Sequence, residues 1–362
     1  MEAKFPQGKE AQEKEKKFYA TATPIEVIER AEGLGMTPHS YRNRMADIGG
    51  HKAEKPKVES PPEEAKIEYV PYPDFKIKPF PASGGKRDKE DMGLVLTDHH
   101  VGRKTESYDS KIYIARNDYL LGRVMRVIDL HRPIGTLHIF ILGDMVQGED
   151  VHKGSNVDET EFGVWTQIND YAVPTLSRQI LSLLQGVEAV EVWCVWGNHG
   201  IYAREATRQA NWDNFVYKGL EVALAKQKGV TIHCPTQFYQ LATILGWRFF
   251  LIHGDQARSN QGIPLFALRR KYQDWYAYLN GFDYAYSGHW HTWGADQINS
   301  RADYQIAPPL VTGDSWALEV VGRASSPVQL VFGVHPKIGR SFEYKLLTDP
   351  KFSIYQENKD AI

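Results

Sequence analysis

The sequence predicts an α/β sandwich flanked by helices, preceded by a small helical segment, on three observations. From Met92 onward, short β-rich runs alternate with helical stretches, the pattern of strands covered by helices. Metal-ligating and charged residues stand directly after five of those runs, where open α/β sheets place their sites. A proline-rich zone of alternating charge separates this region from residues 1–50.

The 362 residues, 42% of them hydrophobic, suffice for a substantial core and an appendage. With 43 Lys and Arg against 45 Asp and Glu the net charge is -2, so any nucleic-acid binding must come from a local patch. Cys194 and Cys234 are the only cysteines, which excludes a disulfide framework and a cysteine zinc site. The N-terminus carries no signal-peptide pattern and no apolar run reaches the roughly 18 residues of a membrane helix. The expectation is a cytoplasmic protein without a membrane partner.

In residues 1–50, Thr23 before Pro24 and Thr37 before Pro38 are two helix starts, each an N-cap followed by proline at the first helical position. Val27, Ile28, Ala31 and Leu34 fall on one face of the first helix, Tyr41 and Met45 on one face of the second, and Gly33 and Gly35 break the chain between them. Two readings stand. The pair resembles a helix-turn-helix whose second helix offers His39, Ser40, Arg42, Asn43 and Arg44 to DNA, with no acid between Thr37 and Ala46. Alternatively it is a small helical hairpin for oligomerisation, a homodimer included, or for packing on the main domain.

Residues 51–90 hold seven of the 19 prolines and read as a linker, with YVPYPDFKIKPFP either an extended strap or disordered. Residues 91–362 form the expected catalytic domain. Its predicted strands end at Thr97, Leu142, Trp196, Ile252 and Ser287, and Tyr113–Leu130 and Val164–Leu184 have helical spacing. After Pro309, LVTGDSWALEVVG and VQLVFGV read as closing strands.

The five predicted strands are followed by Asp98-His99-His100-Val101-Gly102, Gly143-Asp144, Gly197-Asn198-His199-Gly200, His253-Gly254-Asp255 and Gly288-His289-Trp290-His291. Imidazole nitrogens and hard oxygens without thiolate suit manganese, iron, cobalt, nickel or zinc better than calcium or magnesium. Their number fits two metals sharing a carboxylate.

These blocks, over about Gly93 to Asp314, resemble the signature of the calcineurin-like metallophosphoesterase superfamily: D-x-H, G-D, G-N-H, a lone His, then G-H-x-H. The resemblance implies a β-sandwich flanked by helices that holds two divalent ions, manganese first. It makes Asp98, His100 and His291 ligands of one metal, Asn198, His253 and His289 ligands of the other, and Asp144 the bridge. A metal-bridging hydroxide would attack phosphorus in line, and His199 would stabilise the phosphoryl oxygens or protonate the leaving group. Many members carry an acid after the G-N-H histidine, where this chain has Gly200. His99 is expected to be structural or to support a ligand, and Asp255 to orient a ligand histidine or simply to turn the chain.

The first two blocks are similar in form to those of DNA-repair exonuclease-type members, which implies phosphodiester hydrolysis in DNA. Arg103, Lys104, Arg204, Arg208 and Arg258 are candidate phosphate contacts, and Tyr202, Trp290 and Trp293 candidate stacking residues. Trp275 and Tyr278 read as packing residues of a helix, and the acidic loop GEDVHKGSNVDETE counts against long DNA. The alternative is a phosphomonoesterase, or a nucleotide or phosphoprotein phosphatase, whose N-terminal segment mediates assembly.

Overall fold

The computed structural model describes residues 5, 8–49, 89–149, 159–201, 207, 209–258, 264–313 and 326–349. The expected linker and strap, the loop at 150–158 and the predicted strand at 314–322 lie outside them. The chain divides into two compact units, Met1–Phe75 and Lys76–Ile362.

The first unit holds α1 (Lys9–Thr21), α2 (Pro24–Gly33) and α3 (Pro38–Asp47). Thr23 caps α2 in a reciprocal capping box with Glu26, and Thr37 accepts the Ser40 N–H to cap α3. Helix α1 was not expected, because its run of Lys and Glu has no apolar stripe. What it buries is Glu15, which takes two hydrogen bonds from Arg30 (2.9 and 2.7 Å) and one from the Tyr41 hydroxyl (2.6 Å). Val27, Ala31, Tyr41 and Met45 form the core as expected, but Ile28 is exposed.

The second unit is an α/β sandwich. The first sheet has the order β11-β10-β1-β2-β3-β4, with β1 (Glu90–Leu96), β2 (Ile134–Ile141), β3 (Ala189–Cys194) and β4 (Val230–His233) parallel. Strand β10 (Val328–His335) runs antiparallel to both β1 and β11 (Gly339–Leu347). The second sheet has the order β5-β6-β7-β9-β8, from β5 (Tyr239–Ile244), β6 (Trp247–Ile252), β7 (Tyr284–Ser287), β8 (Gly294–Gln297) and β9 (Asp303–Ile306). Val95, Phe140, Val195 and Phe332 of the first sheet interdigitate with Phe249, Leu251 and Tyr286 of the second.

Helices α4 (Ser110–His131), α6 (Val173–Leu184), α7 (Trp212–Leu224) and α8 (Leu265–Tyr278) pack on the sheets. The expected helix over Val164–Leu184 is broken: a single turn, α5 (Val164–Thr166), and a π-helical turn, Gln167–Ala172, precede α6, because Pro174 cannot donate the N–H that would continue an α-ladder. Residues 310–313 are not a strand; the Leu310 and Val311 N–H groups instead donate to the Asp98 carbonyl. Among the described residues no helix is long and apolar enough to cross a membrane.

Candidate metal centre

The parallel strands converge with their C-terminal ends at one edge, and the loops leaving β1, β2, β3, β6 and β7 meet there. Three groups of donor atoms result, each with all its atoms within 4.8 Å of one another: Asp98, His100 and His291; Asp144, His253 and His289; and His100, Asp144 and His199. The third joins the other two. Asn198 belongs with the second, its Oδ1 lying 2.9 Å from His253 Nε2.

Bringing these residues together strains the backbone. Asp98, His100, Asp144, His289 and His291 all adopt positive φ, between 46° and 69°, a region that L-residues with a Cβ rarely occupy. Close packing also dictates the glycines. A Cβ on Gly197 would collide with the Asp144 carboxylate, and one on Gly200 would fall on the Asn211 side chain. Asn211 thus occupies the space an acid after His199 would need. The His199 ring is oriented instead by Nδ1 donating to the Gln147 carbonyl at 3.3 Å, while its backbone N–H donates to Asp144 Oδ1 at 2.7 Å.

The donor set fits divalent cations. His253 Nδ1 donates to the Leu142 carbonyl at 2.7 Å, so in the neutral ring Nε2 carries the lone pair, facing Asn198 Oδ1 and Asp144 Oδ2 at 2.9 and 3.1 Å. Nitrogen and oxygen lone pairs so placed repel unless a positive charge lies among them. Similarly, His100 and His291 bring their Nε2 atoms to 3.2 Å, each within 4 Å of Asp98 Oδ1.

The titration of these groups states the same demand. Burial alone would push the His253 imidazolium down, but the Asp144 carboxylate outweighs it and raises the pKa to about 10. Burial pushes His289 down to about 3 and His100 well below the usual range, keeping both as neutral donors. Against burial, the His291 hydrogen bond and charge hold Asp98 at about 2.

Sequence reasoning missed Asp213. This fully buried carboxylate in the first turn of α7 accepts the N–H groups of Asp144 (3.0 Å), Met145 (3.0 Å) and Gly197 (2.8 Å), clamping the loops after β2 and β3 to each other. Burial, reinforced by Asp144, pushes its pKa up to about 6. The only local signal is an acid two residues after Asn211, an ordinary helix start.

Other expected residues are placed partly as expected and partly not. His99 is buried with its ring edge to face against Tyr113, 5.8 Å between centroids, a packing role. Trp290 is buried among Phe250, Tyr272 and Ile306 rather than offered for stacking, because the strained turn at His289 and His291 rotates it inward. Trp275 packs as expected, whereas Tyr278, the last residue of α8, is 79% exposed. Arg103 is buried and pairs with Glu159 at 3.6 Å. Lys104, Arg258 and Trp293 are exposed, Trp293 beneath the Lys345 ammonium at 3.1 Å. Tyr202, Arg204 and Arg208 lie outside the described residues. Asp255 bonds the neighbouring Gln256 amide.

No family model and no curated protein matches the chain. Similar solved structures include a Vps29 of Entamoeba histolytica solved with zinc, 11% identical, covering 71% of this chain and 99% of that one at a TM-score of 0.34. A 5'-nucleotidase of Candida albicans is 9% identical over 73% of this chain and 53% of its own, TM-score 0.33. A phosphopantetheinyl hydrolase of Mycobacterium tuberculosis is 10% identical over 74% and 99%, TM-score 0.30. The chain's own architecture and clusters define the class: mixed sheets flanked by helices, with paired His and Asp donor groups at the strand ends, match a calcineurin-like phosphoesterase fold.

Proposed function

We propose that the chain is a binuclear metal-dependent phosphoesterase that hydrolyses small phosphate monoesters. The observation that carries this reading is the pair of buried donor triads joined through Asp144 and His100. In it, Asp98, His100 and His291 would hold one divalent cation and Asn198, His253 and His289 the other, with Asp144 available to both groups. Two such ions supply Lewis-acid polarisation of the phosphoryl group and a water acidified to near neutrality.

The rest of the chemistry belongs to side chains. His199, its ring 4.5 Å from that of His100 and its backbone N–H fixed by Asp144, would, as the imidazolium with Nδ1 donating to the Gln147 carbonyl, use Nε2 to donate a hydrogen bond to a phosphoryl oxygen or a proton to the leaving oxygen. Gln147 holds His100 through Nδ1 at 3.1 Å and His199 through its carbonyl, so one residue orients both rings. Small esters are favoured over long DNA because Arg103, the candidate phosphate contact nearest the first block, is buried against Glu159.

A second reading, DNA as substrate, is supported by the exposure of Arg42, Asn43 and Arg44 together on α3. Parallel assays with p-nitrophenyl phosphate, its bis-ester and labelled DNA, with manganese or a chelator, separate the two. Manganese-dependent monoester turnover with DNA intact is the expected result. DNA cleavage that weakens in an Arg42→Ala, Arg44→Ala variant would replace the first reading with the second.

A further inference from the structure

An open cavity of about 790 Å³ is lined in part by the loops that carry Asn198 and His253. Its lining includes Trp196, two residues before Asn198, and Gln256, three residues after His253, so its floor continues the loops that carry those donors. At 3.8 Å per residue, Trp196 lies within about 8 Å of Asn198 along the backbone, the scale separating phosphate from base in a nucleotide. We propose that this cavity is a nucleobase subsite and that the phosphate ester cleaved at the metal centre is a nucleoside monophosphate. The inference rests on the phosphoesterase reading and names its substrate.

The lining matches a flat heteroaromatic group on three counts. Phe238 and Trp275 bring half-buried aromatic surface from two separate elements and meet at 5.7 Å between centroids, and the buried Trp196 completes the lining. Trp196 is held in place by its indole N–H, which donates to Asn214 Oδ1 at 2.6 Å. Such a wall is already ordered before a ligand arrives, which lowers the entropy cost of binding.

The polar groups agree. Gln209 and Gln237 line the cavity, and their side-chain amides make no hydrogen bond among the described residues. An amide offers a donor and an acceptor side by side, as does the edge of a base. Among the described residues no carboxylate lines the cavity, and the one cation there, Lys271, sits 5.6 Å from the Trp275 ring centroid without an acidic partner. An acyl chain would leave the amides without partners. A bare sugar phosphate would leave the Phe238 and Trp275 rings uncovered.

The test compares AMP with ribose 5-phosphate, which share sugar and phosphate and differ by the base. With manganese, wild type should show kcat/KM at least about tenfold higher for AMP, the discrimination expected of one stacked base. Phe238→Ala and Gln237→Ala should each reduce that ratio severalfold through KM for AMP, whereas Tyr278→Ser, on the exposed end of the same helix as Trp275, should keep it. Equal kcat/KM for the two esters, or a ratio untouched in both cavity variants, overturns the proposal while leaving the phosphoesterase reading standing. If neither ester is turned over, the phosphoesterase reading is what fails. Titration calorimetry of AMP against ribose 5-phosphate then decides the subsite: preferential AMP binding lost in Phe238→Ala upholds it, and equal or absent binding rejects it.

Discussion

Glu15 in the N-terminal helices and Asp144 at the strand ends are both buried carboxylates, and their surroundings are opposite in kind. Glu15 has each oxygen matched by a donor: the Arg30 fork on both, and the Tyr41 hydroxyl on one. The backbone around it is ordinary helix, opened by capping threonines. Asp144 stands at φ 52° among imidazoles from four other loops, with a ring nitrogen and an amide oxygen facing the same small space. A buried polar group that completes its hydrogen bonds internally is structure. Lone pairs gathered toward one point on strained backbone are a site.

The sharpest way to break that contrast is to neutralise both carboxylates in isosteric fashion. Asp144→Asn should lower manganese-dependent phosphoesterase activity by more than about 100-fold and abolish the rise in Tm that manganese confers on wild type. Glu15→Gln should leave both readouts at the wild-type level. An Asp144→Asn protein that retained activity and its manganese-dependent Tm rise would remove the basis for treating the strand ends as a metal centre.

A milder perturbation asks whether the strain at the strand ends is held from outside. Asp213 touches no donor side chain, but its carboxylate gathers three N–H groups from two metal-centre loops. An amide replacing it turns one accepting oxygen into a donor that meets an N–H head on. Asp213→Asn should therefore cost about 10- to 100-fold in activity, the range for groups that orient ligands. Most of that loss should be recovered at high manganese, since the variant misplaces ligands without removing any. Titrating manganese against activity distinguishes this from a merely destabilised protein, whose Tm falls while its metal dependence stays put.

How much of this contrast is legible in the sequence follows from the range over which each feature is written. The metal centre is legible because its donors follow strands within one to four residues, so linear blocks report on three-dimensional convergence. The caps of α2 and α3 are legible for the same reason, each being a side chain bonding its own backbone three residues on. Asp213 is not, since its partners are 16 or more residues away and nothing local distinguishes it from a helix-start acid. Strands β4, β8 and β9 are four residues each, too short for alternation to declare itself. Helix α1 hides its buried residue behind a charged composition: a glutamate at its core position reads as solvent until Arg30 and Tyr41 are known to meet it. Trp290 shows the converse error, where adjacency to a ligand block suggested exposure and the turn buried it.

The smallest expected effect probes the self-satisfied side of the comparison by pH. The Arg30 hydrogen bonds, aided by the one from Tyr41, hold the Glu15 carboxyl below its ordinary 4.5 against the opposing effect of burial. A carboxyl with a lowered folded pKa contributes stability that is fully present above the unfolded value and lost as pH falls through the folded one. Amide exchange over residues 9–49, corrected for intrinsic rates, should lose protection as pH drops below about 4.5, by an amount on the order of 1 kcal/mol given the half-exposed Arg30 partner. Glu15→Gln removes the titrating group, so its protection should start lower and lack that acid limb. If wild type and variant lose protection in parallel, the carboxylate is not what ties α1 to α2 and α3, and the apolar contacts of Val27, Ala31 and Met45 hold the unit unaided.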